Sequence, residues 1–211
     1  EQAMAFTEIE FVKFLPGDEE KMLQGSLSSI ERVISSYNHT DYYFVFHPAT
    51  INSPELTGFG SFLSGFKNIK ELTLYWPHTD LQDSELEELD SILKSLQSLR
   101  KLTLDVSFCN ALTDRGVESL AAGLSVLHSL TILDLNFSSC DLITDLSLEK
   151  LGFALSPLKL LNEIDMDFSD CEKIRDQGVQ CLFSNIHDLQ TLQQLNVNFT
   201  GCVRITEKGI E

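Results

Sequence analysis

Polar and apolar positions along residues 99–205 follow two rhythms that take turns. Over Leu133, Leu135 and Phe137 the apolar residues alternate strictly with Asp134, Asn136 and Ser138, which predicts a strand buried on one face only. Over Val117, Leu120, Leu124 and Leu127 they recur every three or four residues, which predicts a single apolar stripe along a helix. A turn lies between the two. After it, the pairs Thr113–Asp114, Thr144–Asp145 and Arg175–Asp176 supply side-chain oxygens where a helix should begin.

The exchange of rhythms is itself periodic. Leu99, Leu130, Leu161 and Leu192 lie 31 residues apart, and so do Cys109, Cys140, Cys171 and Cys202. Leu112, Ile143, Ile174 and Ile205 follow three residues after each cysteine. The shared pattern is L-x-x-L-x-L-x-F-S-x-C-x-x-I-T-D-x-G-V-x-x-L-x-x-x-L-x-x-L. A fixed period of this length means stacked supersecondary units. Each unit is strand, turn, helix and return loop, so successive strands should be parallel, with helices on one face of the sheet.

Weaker copies extend towards the amino terminus. Ile69, Leu72 and Leu74 open a unit 30 residues before Leu99; its helix should begin near Asp83–Ser84 and carry Leu86, Leu89 and Leu93, with Thr79 at the cysteine position. Tyr42, Phe44 and Phe46 fit the inward strand positions again. Val12 and Phe14 fit before them, followed by a helical stretch around Met22, Leu27, Ile30, Val33 and Ile34. Seven strands are expected, at residues 10–15, 42–46, 71–76, 101–106, 132–137, 163–168 and 194–199. The chain reads as one repeat domain over residues 1–211, divergent in 1–68 and regular in 69–211, with its last unit broken off.

The segments CNALTDRGV, CDLITDLSL, CEKIRDQGV and CVRITEKGI follow C-x-x-L/I-T-D-x-G-L/V. In them the chain resembles leucine-rich repeat proteins, in particular the cysteine-containing subtype of F-box substrate receptors. The helix and the 31-residue unit are also similar to the ribonuclease-inhibitor-like subtype. Repeats of this mixed kind are common in protist proteins. The resemblance is strong over residues 69–211 and weak over 9–68. It implies an α/β solenoid, a horseshoe of about seven units of 30–31 residues with a parallel concave sheet and convex helices. It also implies that the concave face binds protein partners. Two extra residues stand between the last strand leucine and the cysteine compared with the F-box type, so the strands should be longer. No segment resembles an F-box.

The strand register specifies the concave surface. One row reads Thr73, Thr103, Asp134, Asp165, Asn196; the next reads Tyr75, Asp105, Asn136, Asp167, Asn198; a third reads Pro77, Ser107, Ser138, Ser169, Thr200. Neighbours in a row should sit about 5 Å apart. Asp134 and Asp165 are then adjacent carboxylates, whose repulsion should raise the pKa of at least one, whereas the second row separates its charges with asparagines. Such a strip docks Lys or Arg from a partner, holds a cation, or is a solvated polar face. Tyr43, Val45 and His47 would join Tyr75 at the amino-terminal end of this face, or lie buried if the register there slips by one. Trp76 falls in register with Phe137, Phe168 and Phe199 and reads as core.

Composition narrows the function. A net charge of −17, from 32 acidic and 15 basic residues, repels phosphate backbones and anionic lipid, so neither nucleic acid nor membrane is an expected partner. A protein with a basic surface is. The five cysteines are an odd number. The four periodic ones read as buried free thiols, and Cys181 as the more reachable one. That usage suits a reducing, cytoplasmic setting. Paired C-x-x-C or Cys/His clusters are absent, so no metal is expected. There is no G-x-S-x-G, H-E-x-x-H, G-x-x-x-x-G-K or G-x-G-x-x-G, and GFGSFLSGF at 58–66 lacks a phosphate-binding lysine. No cofactor and no small-molecule substrate is evident.

The expectation is therefore a non-catalytic interaction module that binds a basic partner through Tyr43, His47, Tyr75, Asp105, Asp134, Asn136, Asp165, Asp167, Asn196 and Asn198. The alternative is a scaffold segment of a larger signalling or ubiquitin-ligase-type protein whose activity lies in other domains.

Overall fold

The computed structural model describes residues 69–209, together with the backbone of two strands at 11–13 and 42–46. Phe14, the helical stretch around Met22–Ile34, His47 and the 58–66 segment lie outside the described residues.

Strict alternation becomes strand where it was expected. β1 (Phe11–Lys13), β2 (Tyr42–Phe46), β3 (Ile69–Tyr75), β4 (Lys101–Asp105), β5 (Ile132–Asn136), β6 (Glu163–Asp167) and β7 (Gln194–Asn198) form one sheet in chain order. Four helices alternate with β3–β7: α1 (Asp83–Ser95), α2 (Asp114–Leu124), α3 (Asp145–Leu155) and α4 (Asp176–Ile186). The inward leucines of each strand and the helix stripe meet in one core. Leu102, Leu133, Ile164, Val117, Leu120 and Leu124 are all fully buried. So is Trp76, at the head of a row in which Phe137, Phe168 and Phe199 stack at centroid distances of 5.6 and 5.7 Å.

Two expectations about the strands need correcting. From β2 onward neighbouring strands pair in parallel, but β1 pairs with β2 antiparallel, Val12 opposite Phe44. A repeat carries the chain back to the same end of the sheet before its next strand; the β1 stretch does not, so it is not a unit in register with the others. Nor do the extra residues before the cysteine lengthen the strands: β4–β7 hold five residues each. The extra residues turn instead. Phe108, Ser139 and Asp170 take φ of 56–60° just before their cysteines, and His78 and Gly201 take 56° and 80° at the corresponding places. That left-handed conformation costs a non-glycine residue about 1 kcal/mol, and it ends the pleat.

Neighbouring units are clamped at their helix starts. Thr113 and Thr144 cap α2 and α3 as expected, accepting from Arg115 N at 3.2 Å and Leu146 N at 3.3 Å. The aspartate beside each cap does something else: it reaches the next unit. Asp83 accepts from Thr113 N and Oγ1 at 2.8 and 2.6 Å. Asp114 accepts from Thr144 N and Oγ1 at 2.9 and 2.7 Å. Asp176 accepts from Thr206 N and Oγ1 at 2.6 and 2.7 Å, and these bonds, the hydroxyl's first, hold its carboxyl below the ordinary value. Arg175 has no hydroxyl, so Asp145 takes only its N–H, at 2.7 Å.

The clamp explains the glycine of the repeat. A Cβ on Gly178 would stand 2.6 Å from Asp145 Oδ1 and 2.8 Å from Asp145 Cα. Ser147 occupies the corresponding place in α3, and its hydroxyl donates to the carboxylate it crowds, Asp114 Oδ1, at 2.5 Å.

The cysteines form a second ladder. Cys109, Cys140, Cys171 and Cys202 donate from Sγ to the carbonyls of Trp76, Val106, Phe137 and Phe168 at 3.4, 3.3, 3.2 and 3.0 Å. Each thiol thus joins its turn to the end of the preceding strand. Burial pushes all four thiols up, Cys140 and Cys171 to about 12, so they stay protonated and remain donors. Cys181 lies outside this ladder on α4 and is half-buried.

Asp114→Ala removes the three bonds from Thr144 and Ser147 and should cost about 2–4 kcal/mol, read from the urea midpoint. Gly178→Ala should lower the same midpoint, and by more than Gly152→Ala, whose nearest neighbour would stand 3.1 Å away. A thiol reagent at neutral pH should modify Cys181 of the native protein first and reach the four ladder thiols only on unfolding, which mass spectrometry of the labelled protein would show.

Candidate functional site

The helices cover one face of the sheet, and the other face carries the polar positions of β3–β7. The register aligns them as the alternation predicts: Thr73, Thr103, Asp134, Asp165 and Asn196 in one row, Tyr75, Asp105, Asn136, Asp167 and Asn198 in the next. Backbone bonds carry the third row past the strand ends, with Phe108 N to Ser138 O at 2.9 Å and Asp170 N to Thr200 O at 2.7 Å. A further row, Glu71, Lys101, Ile132, Glu163 and Gln194, belongs to the face and was not singled out in the sequence, although it has the same parity two residues earlier.

The acids of this face do unequal work. Asp105 Oδ1 accepts from Ser107 N at 2.9 Å and Asp167 Oδ1 from Ser169 N at 2.7 Å, short loops that start each turn. Their other oxygens accept from Asn136 Nδ2 at 3.2 Å and Asn198 Nδ2 at 3.0 Å. The two asparagines use their own Oδ1 in the same way, taking Ser138 N and Thr200 N at 2.9 Å. This row is therefore an Asp–Asn ladder that shapes the strand ends.

Row one differs. Asp165 accepts only from Asn196 Nδ2, at 3.2 and 3.3 Å. Asp134, directly opposite Asp165 in the register, accepts no hydrogen bond among the described residues. Burial raises its carboxyl above the ordinary value, the charge of Asp165 adds to this, and Asp105 and Glu163 add more, while Lys101 opposes them. On β3–β7, six carboxylates, Glu71, Asp105, Asp134, Glu163, Asp165 and Asp167, thus share the face with one lysine, Lys101.

Tyr75 stands on this face 45% exposed. The backbone pairs Tyr43 with Glu71 and Val45 with Thr73, which gives them register positions in the same rows, and His47 lies outside the described residues. Among the described residues no group of three or more His, Cys, Asp or Glu side chains is placed to hold a metal ion, and no helix is long and apolar enough to cross a membrane.

Sequence reasoning missed Phe108. Its parity is that of Leu102, Leu104 and Val106, which are buried, but the left-handed turn swings it out, and it is 44% exposed. The available signal was an aromatic at a place where other units carry Ser139, Asp170 and Gly201.

A family model described as Leucine Rich repeat matches residues 98–121 and 127–152. These are two windows over β4–α2 and β5–α3. No curated protein matches the chain. A solved structure of the tropomodulin C-terminal domain of Caenorhabditis elegans is similar with a TM-score of 0.51 at 15% identity, covering 79% of this chain and 96% of that one. At that identity the likeness is one of fold. The yeast Rad7–Elc1 complex gives a TM-score of 0.30 at 17% identity, covering 73% of this chain and 48% of that one. The matched windows, the five parallel strands alternating with four helices and the likeness in fold together support a leucine-rich repeat protein.

Proposed function

We propose that this repeat array is a non-catalytic module for protein–protein interaction that receives a basic partner on its open sheet face. The observation that carries the reading is the pair Asp134–Asp165. Like charges directly opposite across strands destabilise a sheet, and among the described residues Asp134 has no hydrogen bond to offset the repulsion. Neutral residues fit the same row, as Thr73, Thr103 and Asn196 do. A lysine or arginine set between the two carboxylates would turn the repulsion into attraction on both sides. Asp105 and Asp167 add to the field although their oxygens are already bonded, while Asn136, Asn196 and Asn198 offer hydrogen bonds. Tyr43, His47 and Tyr75 extend the surface with amphipathic area suited to an interface. Curvature of the array into a horseshoe, and a unit of the cysteine-containing kind with ribonuclease-inhibitor-like length, belong to the same proposal, supported by the C-x-x-I-T-D-x-G pattern and the thiol ladder.

Two outcomes test it. For stability, the sign follows from the raised carboxyl of Asp134. Between the ordinary value and the raised one the native state holds more protons than the unfolded chain, so stability falls as pH rises through that window. Asp134→Asn should thus melt like the wild type below the window and higher above it, by about 1–2 °C at neutral pH, measured by thermal melts across pH. For binding, a labelled peptide of alternating lysine and alanine should lose roughly tenfold in affinity to Asp134→Asn/Asp165→Asn and show a weaker salt dependence. Asp141→Asn/Glu172→Gln, an equal loss of charge at exposed turn positions off the face, should change little. Equal losses in both doubles would reduce the effect to net charge and overturn the reading.

A further inference from the structure

The rim of the sheet, where β3 and β4 turn towards α1 and α2, holds a groove of about 680 Å³ lined by His78, Asp80, Gln82, Phe108 and Asn110, among others. His78 and Phe108 occupy the left-handed turn position of consecutive units, with φ of 56° and 60°. Later units fill that position with Ser139, Asp170 and Gly201, small or turn-tolerant residues. A phenylalanine there is a backbone outlier, whereas a histidine enters this conformation more readily. The same turn takes Phe108 out of the core parity and leaves it 44% exposed. The two rings stack in the open, with centroids 4.1 Å apart and planes 15° from parallel. At Phe108, strain and lost burial are thus both spent on presenting a flat aromatic surface.

The chemistry around that surface selects a ligand. Among the described residues no lysine or arginine lines the groove. Asp80 is exposed and makes no hydrogen bond or ion pair among the described residues, and the Asn110 side chain makes none either. A carboxylate and a side-chain amide beside an aromatic face fit a flat cation. Its plane lies on the ring while its edge N–H groups reach the carboxylate and the amide oxygen. An anion would meet Asp80 unfavourably, and a neutral ring would leave Asp80 unused. An ammonium could meet the charge but not the plane.

We propose that this rim groove binds the guanidinium of an arginine side chain from a protein partner, with the His78–Phe108 stack as its floor and Asp80 as its counter-charge. The proposal shares with the function above only the basic character of the partner, and it stands if the Asp134–Asp165 strip binds nothing.

The test is an NMR titration of the whole chain with N-acetyl-arginine methylamide, read at the ring signals of His78 and Phe108, beside the neutral isostere N-acetyl-citrulline methylamide. The arginine compound should shift both rings saturably with a Kd in the millimolar range, as suits so small a ligand. The citrulline compound should bind at least about tenfold more weakly. Asp80→Asn should weaken the arginine compound several-fold. Phe108→Asn removes the ring with a residue that tolerates the left-handed turn, so the fold is kept, and it should abolish the shifts at His78. Asp134→Asn/Asp165→Asn should leave them as they are. An equal response to citrulline, the absence of saturable shifts at the two rings, or full binding by Phe108→Asn overturns the proposal. If the strip double abolishes binding while Phe108→Asn does not, arginine sits on the strip: the rim proposal falls and the acidic-face reading stands.

Discussion

The first aspartate of each helix bonds the start of the next helix rather than its own. Asp83, Asp114 and Asp176 each take the N–H and the hydroxyl of a threonine one unit on, within 2.6–2.9 Å. That threonine caps its own helix with the same oxygen. Local helix initiation and the stacking of one unit on another are therefore a single hydrogen-bonded object. In a solenoid each unit touches only its neighbours, so stability is a sum of interfaces. A clamp repeated at each described interface from α1 onward, in reduced form at Asp145–Arg175, sets the rise from unit to unit and hence the alignment of the strands.

The thiol ladder does the same on the turn side. A cysteine suits this place because the S–H is a weak donor on a small apolar body. It satisfies a strand-end carbonyl without bringing in a group that must be hydrated. In every described unit the turn also passes through a left-handed residue just before the cysteine, or before Thr79 where the cysteine is replaced. At Gly201 this costs nothing, at Asp170 and His78 less than at most residues, and at Phe108 most; the rings of His78 and Phe108 face solvent together.

Strand alignment in turn sorts the acids of the open face. Asp105 and Asp167 pair with asparagines and start turns, so their charge is partly absorbed by the fold. Asp134 and Asp165 are set opposite each other with little to absorb it. The same register that stabilises one row leaves the other as a source of field.

The repeat, its unit boundaries, the inward leucines, the capping threonines and the contents of three rows of the open face were legible in the chain, because period two and period 3.6 map directly onto faces and because a 31-residue spacing leaves only one alignment of the units. Trp76 and the four cysteines could be placed in the interior on the same ground. Other features were not legible. Nothing in T-D says that the aspartate belongs to the next unit, since that partner lies 30 residues away and is brought near by stacking. Nothing in a run of alternating residues says that Phe108 leaves the core, since a single left-handed φ reverses parity. The reversal of β1 depends on pairing partners, which a short alternating stretch does not specify. The sequence by itself thus determined which residues share a face and how often; the tertiary structure decided which polar groups satisfy one another and which stay open, because that depends on distances between units that only their stacking creates.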